Sequence, residues 1–221
     1  MFFNEIGINE ILTEINKLNP KKSTGLDNIG PSLVIEFATQ LAKPLLHLYN
    51  NSISTGIVPK KLKIAKVVPI YKKGELTEPS NYRPISLLSI FNKLLEKLVC
   101  RRLVAFLDKC NIIYEFQFGF RKKHSTSLAL IEVIDNIYKQ LDEQNFVIGV
   151  YFDLQKAFDT VDHKILLDKM YRYGIRGNLH SWFKSYLLDR KQYTSSGKLC
   201  SDLSDIKCGV PQGSVLGPIF F

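Results

Sequence analysis

Val150-Tyr151-Phe152-Asp153-Leu154-Gln155-Lys156-Ala157-Phe158-Asp159 is the stretch on which the fold reading turns. It follows from an apolar run, Phe146 to Phe152, bounded by Asn145 and Asp153. The run's length and β-branching predict a central strand buried on both faces. Such a strand would deliver Asp153 where the backbone leaves the core. A carboxylate there is held firmly yet reaches solvent, as a divalent-cation site requires. The alternative is that Asp153 only caps the next turn. Asp159 and Asp162 bracket a helix start, where the helix dipole favours acids. His163 beside them reads as a surface or packing residue rather than a ligand. Phe158 is either a core ring or a ring placed to exclude a ribose 2′-OH, the group that separates the two nucleotide sugars.

Along the rest of the chain, helices alternate with short strands. Ile8, Ile11, Leu12, Ile15 and Leu18 recur at helical spacing, and Asn19-Pro20 ends that helix. Pro31 to Ser54 predicts a second helix, kinked or split at Pro44. Ile64–Tyr71 and Tyr82–Leu87 predict a hairpin around a long polar loop, with Pro69 confined to a sheet edge or a strand end. Ile90 to Leu107 predicts a strongly amphipathic helix, and Ser125 to Gln144 another, capped by Ser125 or Thr126. Helices over 159–173 and 178–188 follow, then a hairpin of 191–197 and 203–208, then a turn over 209–217 that feeds a helix. The chain stops on the apolar Ile219-Phe220-Phe221, which predicts a truncated domain.

The 221 residues are 45% hydrophobic, enough for a core and too apolar for a disordered chain. A net charge of +9 favours encounter with polyanions but does not specify a fold. The four cysteines form no C-x-x-C pair, so a zinc ribbon is disfavoured and free thiols in an intracellular, reducing compartment are expected. No apolar run approaches membrane-spanning length, so no membrane partner is expected.

Three further segments carry chemistry. Lys60, Lys61, Lys63, Lys66, Lys72 and Lys73 succeed one another with no acid between them, and Arg83 follows on the return strand. A hairpin so charged can grip a triphosphate, lysine as a point charge and arginine as a fork; it can equally be a solvated edge that lysines keep from pairing. Phe116-Gln117-Phe118-Gly119-Phe120-Arg121-Lys122-Lys123-His124 alternates rings and cations, which suits either a single-stranded template or a buried loop with a basic rim. Gly209-Val210-Pro211-Gln212-Gly213-Ser214-Val215-Leu216-Gly217-Pro218 fixes an unusual backbone path into a helix and allows close approach of a nucleotide or nucleic-acid backbone.

In order and spacing these segments resemble the reverse transcriptases of non-LTR (LINE, jockey-like) retrotransposons. The resemblance rests on Asn81-Tyr82-Arg83-Pro84-Ile85-Ser86-Leu87-Leu88, Gln117 to Arg121, Phe152 to His163 and Gly209 to Pro218, and covers about Ser23 to the end. It implies an α+β right-hand polymerase, with helix-rich fingers and an incomplete palm built on a ferredoxin-like sheet. The implied boundaries are a helical extension of the fingers over 1–60, fingers over 61–145 and partial palm over 146–221. The reverse transcriptase domain as a whole would span about 64–221. The implied function is RNA-directed DNA synthesis for a mobile element, with an RNA template, a DNA primer or target, and dNTPs, in the nucleus or cytoplasm. The alternative is a catalytically inactive nucleic-acid-binding remnant of such an element.

The resemblance also assigns residues. Asp153 would be catalytic and bind metal, with two Mg²⁺ ions in the complete enzyme. Lys72, Lys73, Arg83, the Leu154 carbonyl, Phe158, Gln212 and Gly213 would bind nucleotide, and Arg121 the template. The chain departs from the family in lacking the box of paired aspartates, expected beyond Phe221, and in carrying Leu62 where relatives commonly have Trp. It is expected to polymerise little or nothing alone.

Overall fold

The computed structural model describes all residues except Phe2 and Lys198. The chain divides into two compact units, residues 1–104 with 157–221, and residues 105–156.

The first unit is a mixed α+β body. Its helices are α1 (Ile8–Asn16), α2 (Pro31–Glu36), α3 (Ala38–Thr55), most of α4 (Ile90–Lys109), α6 (His163–Arg172), α7 (Gly177–Leu187) and the short α8 (Gly217–Phe220). Its strands are β1 (Ile64–Tyr71), β2 (Tyr82–Leu87), β3 (Arg190–Ser196), β4 (Leu199–Cys200) and β5 (Ser204–Ile206). β1 pairs antiparallel with β2 from Lys66↔Leu87 to Tyr71↔Tyr82, and parallel with β3 only from Ile64 to Val67. Pro69 therefore lies beyond the parallel pairing, where its missing N–H costs no bond. β5 pairs antiparallel with β3.

Helix α4 is amphipathic, as expected: Leu94, Leu95, Leu98 and Leu103 are buried on one side, and Arg101, off that face, is exposed. Asn92 and Glu96 are the polar residues on its buried side. Tyr49 of α3 donates its hydroxyl to the Phe91 carbonyl at 2.7 Å, and Trp182 of α7 donates its ring N–H to Ser52 Oγ of α3 at 3.0 Å. Trp182 stacks on Tyr186 with centroids 5.5 Å apart. These buried polar groups are paired, as burial demands, whereas Asn92 Oδ1 and Arg190 Nε and Nη2 are buried without a hydrogen-bond partner among the described residues.

The split in the second predicted helix falls at Phe37, not at Pro44, which sits inside α3. Pro44 is exposed, so the carbonyl its ring displaces from the hydrogen-bond ladder can turn to water. The helix predicted from Asp159 starts at His163, because Asp162 Oδ1 accepts the Ile165 N–H at 2.9 Å and caps it there.

The second unit holds α5 (Thr126–Asp142), whose cap Ser125 accepts the Leu128 N–H at 3.2 Å. The expected central strand is not formed: residues 146–154 have no regular secondary structure, and Phe146 is 101% and Phe152 89% exposed. None of the described strands pairs with this run. Without neighbours to take its N–H and C=O groups, apolar composition alone does not make a central strand. Asp153 accordingly lies exposed in an irregular segment.

Candidate nucleotide and nucleic-acid site

The hairpin takes the predicted form. Tyr71 and Tyr82 pair at its loop end with rings 5.6 Å apart, and the Lys72 N–H donates to the Asn81 carbonyl at 2.9 Å. Lys72 and Lys73 stand just beyond this closure, exposed, and exposed Arg83 lies on β2 opposite Ile70. The basic run is not uniform, however. Lys63 is buried and donates to the Ser185 and Leu188 carbonyls at 3.0 and 3.1 Å. It thus satisfies the C-terminal end of α7, where the helix dipole favours a cation. Burial pulls its pKa down, partly offset by Asp189. Lys63 is structural and unavailable to a phosphate.

The glycine-proline loop is tied to two partners. The Ser86 N–H of β2 donates to the Gln212 carbonyl at 2.8 Å. On its other side, the Gly209 N–H donates to the Val161 carbonyl and the Val210 N–H to the Phe158 carbonyl, both at 2.8 Å. Gly209 has φ +82, and a Cβ there would lie 2.7 Å from the Asp159 carbonyl oxygen. At Gly213, φ is +113 and a Cβ would come within 3.0 Å of the Ser86 oxygen. Both positions demand glycine. The strand bearing Arg83, the loop bearing Gln212 and Gly213, and the segment bearing Phe158 are therefore joined by backbone hydrogen bonds. A cleft of about 410 Å³ opens among them, lined by Pro84, Ser86, Asp159, Gln192, Thr194 and Gln212. Phe158 is half-buried, its ring 5.5 Å from that of Phe221.

His163 is buried, and its Nε2 lies 2.7 Å from the Gly209 carbonyl. A carbonyl can only accept, so Nε2 carries the proton and is not a metal ligand. Among the described residues no group of three or more His, Cys, Asp or Glu side chains could hold a metal ion. The carboxylates present thus do not make up a divalent-ion site by themselves.

In the second unit, Arg121 donates through Nη1 to the Tyr114 and Glu115 carbonyls, both at 3.3 Å, holding the aromatic loop together. Phe118 meets His124 edge-on at 5.5 Å. Asp153 and Leu154 are exposed in the same unit.

The sequence reading missed Glu96. This fully buried carboxylate accepts from Asn92 Nδ2 at 2.7 Å, the Tyr186 hydroxyl at 2.6 Å and the Val215 N–H at 2.6 Å. Arg190, also buried, lies over the Tyr186 ring at 4.8 Å and donates to the Tyr186 carbonyl at 3.1 Å. Burial raises the Glu96 pKa, countered by the bonds from Tyr186 and Val215 and by the Arg190 charge. The available signal was spacing: Asn92, Glu96, Val99 and Leu103 fall on one helical face, which puts an acid among core residues.

The chain belongs to the reverse transcriptase (RNA-dependent DNA polymerase) family, whose sequence profile matches residues 70–221. It is 34% identical, over 98% of its length, to both a probable RNA-directed DNA polymerase from transposon BS and the RNA-directed DNA polymerase from mobile element jockey, each of Drosophila melanogaster. It is 30% identical over 96% of its length to a probable RNA-directed DNA polymerase from transposon X-element of the same fly. The chain spans about a quarter of the length of these curated relatives, covering 24%, 24% and 23% of them. Among the described residues no helix is long and apolar enough to cross a membrane.

Proposed function

We propose that this chain is the nucleotide- and template-handling part of a mobile-element reverse transcriptase, which adds dNTPs to a primer 3′-OH on an RNA template. One observation carries the reading: the Arg83 strand, the Gln212 loop and the Phe158 segment are hydrogen-bonded around one cleft in a chain of this family. Lys72, Lys73 and Arg83 would bind the triphosphate of the incoming nucleotide. Gln212 and Gly213 would shape its pocket, and Phe158 would screen its 2′ position. Arg121 would lie along the template, and the Leu154 carbonyl beside the nucleotide. The primer 3′-oxygen forms a bond to the α-phosphorus as the α–β bridging bond breaks and pyrophosphate leaves.

The family's chemistry uses a divalent cation, and Asp153 is the residue we assign to it, with magnesium as the ion. Further carboxylates are needed to complete a set of ligands. In the right-hand scheme, residues 61–145 would be fingers, with a helical extension over 1–60, and residues 146–221 part of the palm. RNA template, DNA primer or target and dNTPs are the expected partners, in the nucleus or cytoplasm.

A second reading is favoured by the exposed, irregular setting of Asp153: alone, this chain binds nucleic acid and does not polymerise. Primer extension separates the two. The chain extended to its relatives' length should make cDNA, and Asp153→Asn in that form should abolish it. Absence of cDNA from the extended form would leave the binding reading in place.

A further inference from the structure

We infer that Glu96 is a positioning residue: its buried carboxylate holds the Pro211–Gly217 loop, and with it Gln212, through the Val215 N–H. This deepens the proposed nucleotide-binding reading and rests on it for its functional part. The geometry is that of an acceptor. Amide, hydroxyl and backbone donors converge on the two carboxylate oxygens at 2.6–2.7 Å. They come from three places: α4 itself, α7, and the loop. Arg190, buried against Tyr186, provides the nearby positive charge. Such a cluster is costly to bury unless it fixes something, because a core of apolar residues would serve stability as well or better.

What it fixes is the stretch around Gly213, between the buried Pro211 on one side and the buried Ser214 and Leu216 on the other. Between Pro211 and Leu216 the backbone is anchored by the Ser86–Gln212 bond, a Ser214–Pro211 turn and the Val215–Glu96 bond. The first and last of these flank Gly213, which has a φ of +113 and no side chain to pack. Removing the Glu96 anchor frees one side of that glycine and leaves Gln212, which lines the cleft, held through its own carbonyl to Ser86.

The test compares Glu96→Gln with Asn92→Ala by amide hydrogen exchange on the 221-residue chain. The amide side chain of Gln keeps the shape but can no longer accept from every donor. Asn92→Ala removes a donor to the same carboxylate without touching the loop. Expected is exchange at least about tenfold faster over residues 212–216 in Glu96→Gln, with Asn92→Ala unchanged there. Equal loop protection in wild type and Glu96→Gln, or equal loosening in both variants, overturns the inference.

Should Glu96→Gln fail to fold, the unsubstituted chain still decides the matter. Its Val215 amide must exchange far more slowly than the exposed Gly213 amide, and exchange at a free-peptide rate refutes the anchor. In the extended chain, Glu96→Gln should raise KM for dNTP about tenfold while kcat changes little. If wild type in that form makes no cDNA, the polymerase reading fails while the exchange result stands on its own.

Discussion

At the scale of single residues, position in the fold separates groups that the sequence presents as equals. Lys63 belongs by sequence to the same basic run as Lys72 and Lys73, yet it is buried on α7 carbonyls while they are exposed. Phe158 has a half-buried ring on a segment bonded to the Gln212 loop, so its two readings remain distinguishable by experiment. In an extended, active chain, Phe158→Ala should raise ribonucleotide incorporation, measured as the ratio of rNTP to dNTP insertion. An unchanged ratio would make the ring a packing element only.

Glu10 offers a pH signature. Burial alone would raise its pKa, but the Arg102 hydrogen bond at 2.7 Å, the Gly7 N–H and the charges of Arg102 and Arg101 outweigh it, and the net shift is downward. A carboxylate with a lowered folded pKa stabilises the fold fully above its unfolded value, and this contribution is lost as pH falls through the folded value. Glu10→Gln should therefore unfold more easily than wild type at pH 7, with the gap closing on acidification toward pH ~3. Denaturant titrations at the two pH values measure it. The partly exposed pair makes the effect small.

At the scale of elements, legibility followed how local the determinants were. The β1–β2 hairpin was readable to its ends because β-branched runs, a polar loop and Pro69 all lie within one stretch. The cap of α6 was harder, since Asp159 and Asp162 are equally good candidates until the backbone selects Asp162. The run 146–152 misled because a central strand is defined by its neighbours, which the run itself does not encode. Glu96 was missed because a charged residue in a helix is by default taken as solvated, although its spacing from Asn92 and Val99 pointed inward. Of the candidate site, the hairpin cations and the glycine-proline loop were legible. Their backbone connection through Ser86 and Phe158 was not, because such hydrogen bonds leave no mark in residue type.

The hairpin also carries its own prediction. Lys72→Ala with Lys73→Ala should weaken binding of single-stranded RNA by this chain. The slope of log K against log salt should become shallower by about 0.7 for each phosphate that the variant no longer neutralises. Fluorescence anisotropy across a salt series reads this directly, and an unchanged slope would remove these lysines from the interface.

At the scale of the whole molecule, the first unit has an apolar core around α4, whereas the second has α5 with no buried residue and an uncovered run at 146–152. Leu130, Ile131, Val133 and Ile134 of α5 are exposed as well. Such a surface has a colloidal consequence. Uncovered, β-prone and nearly uncharged, residues 146–152 offer an adhesive template to any other copy in a concentrated solution. The purified chain should precipitate or form oligomers as its concentration rises, and a single gatekeeper charge, Ile148→Lys, should shift light scattering back toward the monomer.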